Sequence, residues 1–131
     1  MARYFKQLWL LAALLLAACQ EGGEAGDLLG QWRMTGSSDK YVSFSGSVAL
    51  FRIINVEKSV MTVQAFGNFQ HRGDSLFIQC YPMEEWPQNV SGVEEDFGFK
   101  PFGDIRLKID VLSSDRLVVS KDGRQWSFGK Y

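Results

Sequence analysis

The sequence predicts an all-β domain, eight short antiparallel strands running up and down and closing as a barrel. Three observations predict it. From Leu28 onward, apolar and polar residues alternate in short runs, the period of a strand with one buried face. Clusters of Gly, Asn, Asp and Ser separate these runs. No segment beyond residue 27 carries the apolar period of a convincing amphipathic helix. Eight strands enclose an interior about large enough for side chains or one small ligand.

The strands follow in order. Gly30 to Gly36 opens the domain, and Tyr41 to Gly46 alternates well. Ser47 to Asn55 is a denser apolar strand, and Ser59 to Phe69 a long one with a bend expected at Gly67. His71-Arg72-Gly73-Asp74 reads as a turn from which Ser75 to Tyr81 returns. Ile105, Leu107, Ile109 and Val111 alternate with charged neighbours, a half-buried strand. Ser113-Ser114-Asp115 turns the chain into Arg116 to Lys121. Asp122-Gly123 is the strongest hairpin signal, because Gly accepts the positive φ of a type I′ turn. Arg124 to Lys130 closes the series with Trp126 and Phe128 on one face.

Pro82 to Asp104 breaks this regularity. It holds all 3 prolines, five acidic residues from Glu84 to Asp96, and the aromatics Trp86, Phe97, Phe99 and Phe102. A connection this long is expected to be a functional loop, a lid or a partly ordered segment.

The first 18 residues read as a targeting segment. Arg3 and Lys6 form a positive front, and Leu8 to Ala18 is an unbroken run of 11 apolar residues. A membrane-spanning helix takes about 20, so the run fits the middle of a secretory signal. It ends in Leu16-Ala17-Ala18-Cys19, which resembles the lipobox of bacterial lipoproteins. The resemblance implies cleavage before Cys19 and acylation of its sulfur, so that acyl chains tie the protein to a membrane. Residues 19–27 become a Gly-rich acidic tether, and residues 28–131 the domain. Gln20 in place of Asp after the cysteine implies the outer membrane by the same resemblance. Glu21 and Glu24 are similar to the acidic export tags of surface lipoproteins in Bacteroidota.

Without Arg3 and Lys6, 12 basic residues stand against 15 acidic ones, a net charge near −3. That disfavours nucleic acid, which needs clustered cations. With Cys19 acylated, Cys80 is left without an intramolecular partner. Flanked by Leu76, Phe77, Ile78 and Tyr81, it is expected to be a buried, inert thiol.

Gly30-Gln31-Trp32 at the head of the first strand resembles the Gly-x-Trp signature of lipocalins and related calycins. The resemblance implies that Trp32 plugs one end of the barrel beneath a basic residue of the last strand. Arg124 and Lys130 are available, and Arg124 is the expected partner. Lipobox, tether, Gly-x-Trp strand and roughly a hundred residues of β-structure are together similar in layout to small lipocalin-like lipoproteins of Bacteroidota. The chain departs from lipocalins in its short barrel, its lack of a disulfide and the absence of a helix after the last strand. Binding of a small apolar ligand carries over from the family, with Phe44, Trp86, Phe97, Phe99, Phe102 and Trp126 as the candidate lining.

Other chemistry finds little support. His71 stands alone beside Arg72, a poor metal set. Glu94, Glu95 and Asp96 lack the spacing of a calcium loop. No nucleophile elbow occurs, and the adjacent acids Glu84 and Glu85 are a poor acid–base pair. No enzyme, metal or cofactor is therefore expected. Two readings remain: an envelope lipoprotein that binds a small hydrophobic ligand, or a filled barrel that docks an envelope protein through its loops.

Overall fold

The computed structural model describes residues 26–55, 57–85 and 88–131. Cys19, the signal segment, most of the tether and Trp86 lie outside the described residues. Eight strands form among them: β1 (Gly30–Met34), β2 (Lys40–Ser45), β3 (Val48–Asn55), β4 (Val60–Arg72), β5 (Ser75–Tyr81), β6 (Ile105–Leu112), β7 (Arg116–Lys121) and β8 (Arg124–Lys130). Each pairs antiparallel with the next, and β1 pairs with β8, so the sheet is a closed up-and-down barrel. Closure removes the unpaired edges that an open sheet of this size would expose.

The alternation read from the sequence sets the faces. Ala49, Phe51 and Ile53 of β3 point inward, as do Ile105, Leu107 and Ile109 of β6 and Trp126 and Phe128 of β8. Leu50 falls on the opposite parity and is half-buried on the outside, paired with Ser43 and Phe66. The buried apolar side chains, Tyr41 and Val118 apart, form one cluster that runs the length of the barrel.

Two details differ from expectation. His71 and Arg72 belong to β4, and the turn is carried by Gly73, at φ +58°, with Asp74. The register through Gly67 is unbroken, and the irregularity of the β3–β4 ladder lies between Ile53 and Ile54. Gly67 is needed for another reason: a Cβ there would come within 2.9 Å of the Gln79 carbonyl oxygen. The Asp122-Gly123 turn forms as read, with φ of 51° and 78°.

The β5–β6 connection contains helical structure that the sequence did not predict. A single α-turn, α1 (Asn89–Ser91), runs into a π-helical segment, Gly92–Phe97. It presses onto β4 so closely that a Cβ at Gly92 would lie 2.6 Å from the Val63 side chain. Among the described residues no helix is long and apolar enough to cross a membrane.

Candidate functional site

The two ends of the barrel are built differently. One end receives the chain at Leu28 and carries the last residues of β8. There Trp32 is fully buried and its indole N–H donates to the Leu28 carbonyl at 2.8 Å. Lys130 Nζ stands 4.4 Å from the centre of the Trp32 ring. It also donates to the carbonyls of Asp27, at 3.1 Å, and Leu29. Gly30 makes this possible, since its φ is +121° and a Cβ would sit 2.8 Å from the Lys130 Cε.

Lys130, not Arg124, is therefore the cation over Trp32. The cause is strand direction. β8 runs antiparallel to β1, so Trp32 is in register with Lys130. Arg124 starts β8 at the far end, where its guanidinium lies 4.9 Å from the Trp126 ring.

At that far end the β5–β6 connection folds into the barrel mouth. Gly98 takes a left-handed φ of +92° as the π-helical segment ends, and the N–H groups of Gly98 and Phe99 both donate to the Val93 carbonyl. The turn sends the flanking Phe97 and Phe99 inward. Both are buried, with ring centres 5.2 and 5.9 Å from Phe51. Phe99 also meets Trp126 edge to face at 5.0 Å. The Trp126 indole N–H donates to the Phe97 carbonyl at 2.7 Å, fixing the loop to β8.

A second tie lies further along. The Phe102 N–H donates to a Glu94 carboxylate oxygen at 2.8 Å, and the Phe102 carbonyl accepts from the Cys80 N–H. Glu94 is thus a structural acceptor within the loop. Cys80 is buried, and desolvation pushes its thiol up to about 12.

The candidate lining is thereby partly assembled. Phe97, Phe99 and Trp126 come together around Phe51. Phe102 is buried beside β5. Phe44 lies toward the Trp32 end, opposite Gly30 and 4.9 Å from Phe69. Phe51 was not singled out in the sequence, although the Ala49-Phe51-Ile53 parity could have found it. These side chains fill the interior. The void left among Phe44, Phe51, Leu76, Ile78, Phe99 and Phe128 is about 10 Å³. Ligand pockets measure roughly 300–1,000 Å³.

The metal readings meet a similar geometry. The His71 Nε2–H donates to the Gly73 carbonyl at 2.8 Å. Among the described residues no three His, Cys, Asp or Glu side chains gather as a metal-ligand group.

The closed eight-stranded barrel has counterparts among solved structures. A lipocalin-like protein from Bacteroides uniformis superposes with a TM-score of 0.64 at 23% identity, over 80% of this chain and 99% of that one. The fold is lipocalin-like. An uncharacterized protein from Bacteroides eggerthii gives the same TM-score of 0.64 at 16% identity, over 79% of this chain and 98% of the other. At such identities the likeness concerns the lipocalin-like barrel and not an activity. No protein-family model and no curated protein matches the sequence.

Proposed function

We propose that this protein is a lipid-anchored protein of the bacterial envelope whose lipocalin-like barrel is a solid scaffold, acting through its loops and outer surface on an envelope partner. One observation carries the choice between the two readings: the Phe97-Gly98-Phe99 turn occupies the mouth and leaves about 10 Å³ inside. That is room for roughly one water molecule. The anchoring part of the proposal rests on the lipobox and on Cys19. The described chain reaches the barrel at the Trp32 end, so a tether from Cys19 leaves the plugged end as the one pointing away from the membrane.

A second reading has support of its own. The plug is one short segment inserted from a loop, and its withdrawal would uncover the apolar walls of Phe51 and Trp126. Carriage of a small hydrophobic ligand then requires the plug to leave.

Native mass spectrometry of the purified protein separates the two readings. A scaffold shows a clean protein mass and takes up no apolar dye. A co-purified small molecule, or stoichiometric dye binding in the folded state, would overturn the scaffold reading. The anchor is tested separately with Cys19→Ser. That variant is expected to leave the membrane fraction and lose lipid labelling, and retention of both would sink the lipoprotein proposal.

A further inference from the structure

At the rim of the plugged mouth an open groove of about 510 Å³ runs between the Gly98–Pro101 segment and the β7–β8 turn. Three of its lining residues are cations, Lys100, Lys121 and Arg124, and one is an acid, Asp122. In a domain, residues 28–131, whose 12 basic and 12 acidic residues balance, this is a local excess of positive charge.

None of the three cations has an ion-pair partner among the described residues. The ion pairs among the described residues are Lys40–Asp39 and Arg106–Asp104. Lys121 Nζ donates to the Lys100 carbonyl, which ties β7 to the plug segment and leaves two of its three N–H donors free. The Arg124 guanidinium lies over the Trp126 ring at 4.9 Å and close against Gly98. A Cβ at Gly98 would come within 2.7 Å of its Nη1, so the missing side chain is what lets the guanidinium lie there. Arg124 is thus held by stacking alone. Its N–H edges form no hydrogen bond to protein among the described residues. A guanidinium held by its face and free at its edges suits two-pronged binding of an oxyanion.

We propose that this groove binds a small organic oxyanion, a carboxylate or phosphate group carried on an apolar or ring-shaped body. Arg124 takes the anionic group, Lys100 and Lys121 supply flanking positive charge, and the body rests on Pro101 and the small part of Trp126 that borders the groove. Asp122 opposes a second negative charge on that side and so favours a ligand with one anionic group. The site lies at the rim of the mouth, is formed with the plug segment in place, and does not depend on the lipid anchor.

The test uses the full-length chain in a nonionic detergent, with 4-fluorobenzoate followed by fluorine NMR and detergent alone as the reference. The fluorobenzoate line is expected to broaden saturably with protein. Inorganic phosphate is expected to reverse the broadening by competing for the charge, and neutral 4-fluorobenzamide to show none. Arg124→Gln is expected to weaken binding roughly tenfold, the loss of one charge-assisted hydrogen-bonded contact. Lys100→Gln is the second variant, because its side chain is exposed and makes no contact that folding needs. It is expected to weaken binding several-fold with an unchanged melting temperature, while Lys40→Gln, away from the groove, leaves binding intact. Absence of saturable broadening would overturn the site. So would benzamide binding as well as benzoate, or full affinity in both groove variants.

Discussion

At the scale of single residues, Lys130 and Cys80 make the sharpest statements. Lys130 combines a cation–π contact at 4.4 Å with two bonds to backbone carbonyls, whereas Arg124 has, among the described residues, its ring contact and no hydrogen bond. A cation–π contact contributes about 0.5–1 kcal/mol at exposed sites, and a hydrogen bond from a charged group more than a neutral one. Lys130→Met is therefore expected to lower stability by about 1–2 kcal/mol, and Arg124→Met by less than about 1 kcal/mol. Urea denaturation of the two variants checks the order, and the reverse order would restore Arg124 as the cation that matters. Cys80 carries a pH effect whose sign is fixed. Its thiol ionises near 9 when unfolded and near 12 when folded, because burial disfavours the thiolate. The unfolded chain loses its proton first, so stability is full below pH 9 and falls between about pH 9 and 12. Cys80→Ala in a Cys19→Ser background is expected to flatten that decline. In the same background with Cys80 intact, a thiol reagent at pH 8 is expected to react only after denaturant is added. Prompt labelling of the folded protein would contradict burial.

At the scale of elements, the plug decides what the barrel can hold. Phe99 packs on Phe51, Phe97 and Trp126 in a space that has almost nothing left over. Phe99→Ala is expected to cost about 3–5 kcal/mol and to leave a cavity that its neighbours only partly refill. An apolar cavity of that kind stays dry and admits benzene-sized guests. Benzene should then raise the melting temperature of Phe99→Ala and not that of the parent protein, a difference calorimetry can read. An unmoved melting temperature would mean that the mouth collapses. The strands were legible in the sequence because alternation is a local signal: β5, β7 and β8 have the bounds read from it, and Asp122-Gly123 turns as its type requires. The plug was not legible. Its aromatics are visible in the sequence, but their placement depends on Gly98 adopting φ +92° and on Gly92 meeting Val63, contacts 29 residues apart along the chain. The choice between Lys130 and Arg124 failed for a similar reason, since it needs the register of β8 against β1 and not the identity of the side chains.

At the scale of the molecule, the question is whether the barrel opens anywhere short of unfolding. Two indoles report from opposite ends. The Trp32 N–H is donated to Leu28 beside the chain entry, and the Trp126 N–H to Phe97 in the plug, each in a buried bond. Both rings belong to the same continuous core, which a closed sheet surrounds on every side. A proton buried in such a core exchanges with solvent only when its own region opens, and the free energy of that opening ranges from near zero to the whole stability. If the plug is part of the core, as its packing argues, the two indole protons should exchange with the same opening free energy, equal within about 1 kcal/mol to the stability from denaturant. Hydrogen exchange followed by NMR on the Trp32 and Trp126 indole signals measures this directly. Much faster exchange at Trp126 than at Trp32 would mean that the plug leaves the mouth while the Trp32 end stays shut. The scaffold reading would then give way to that of a carrier whose resting state is closed by its own Phe97 and Phe99.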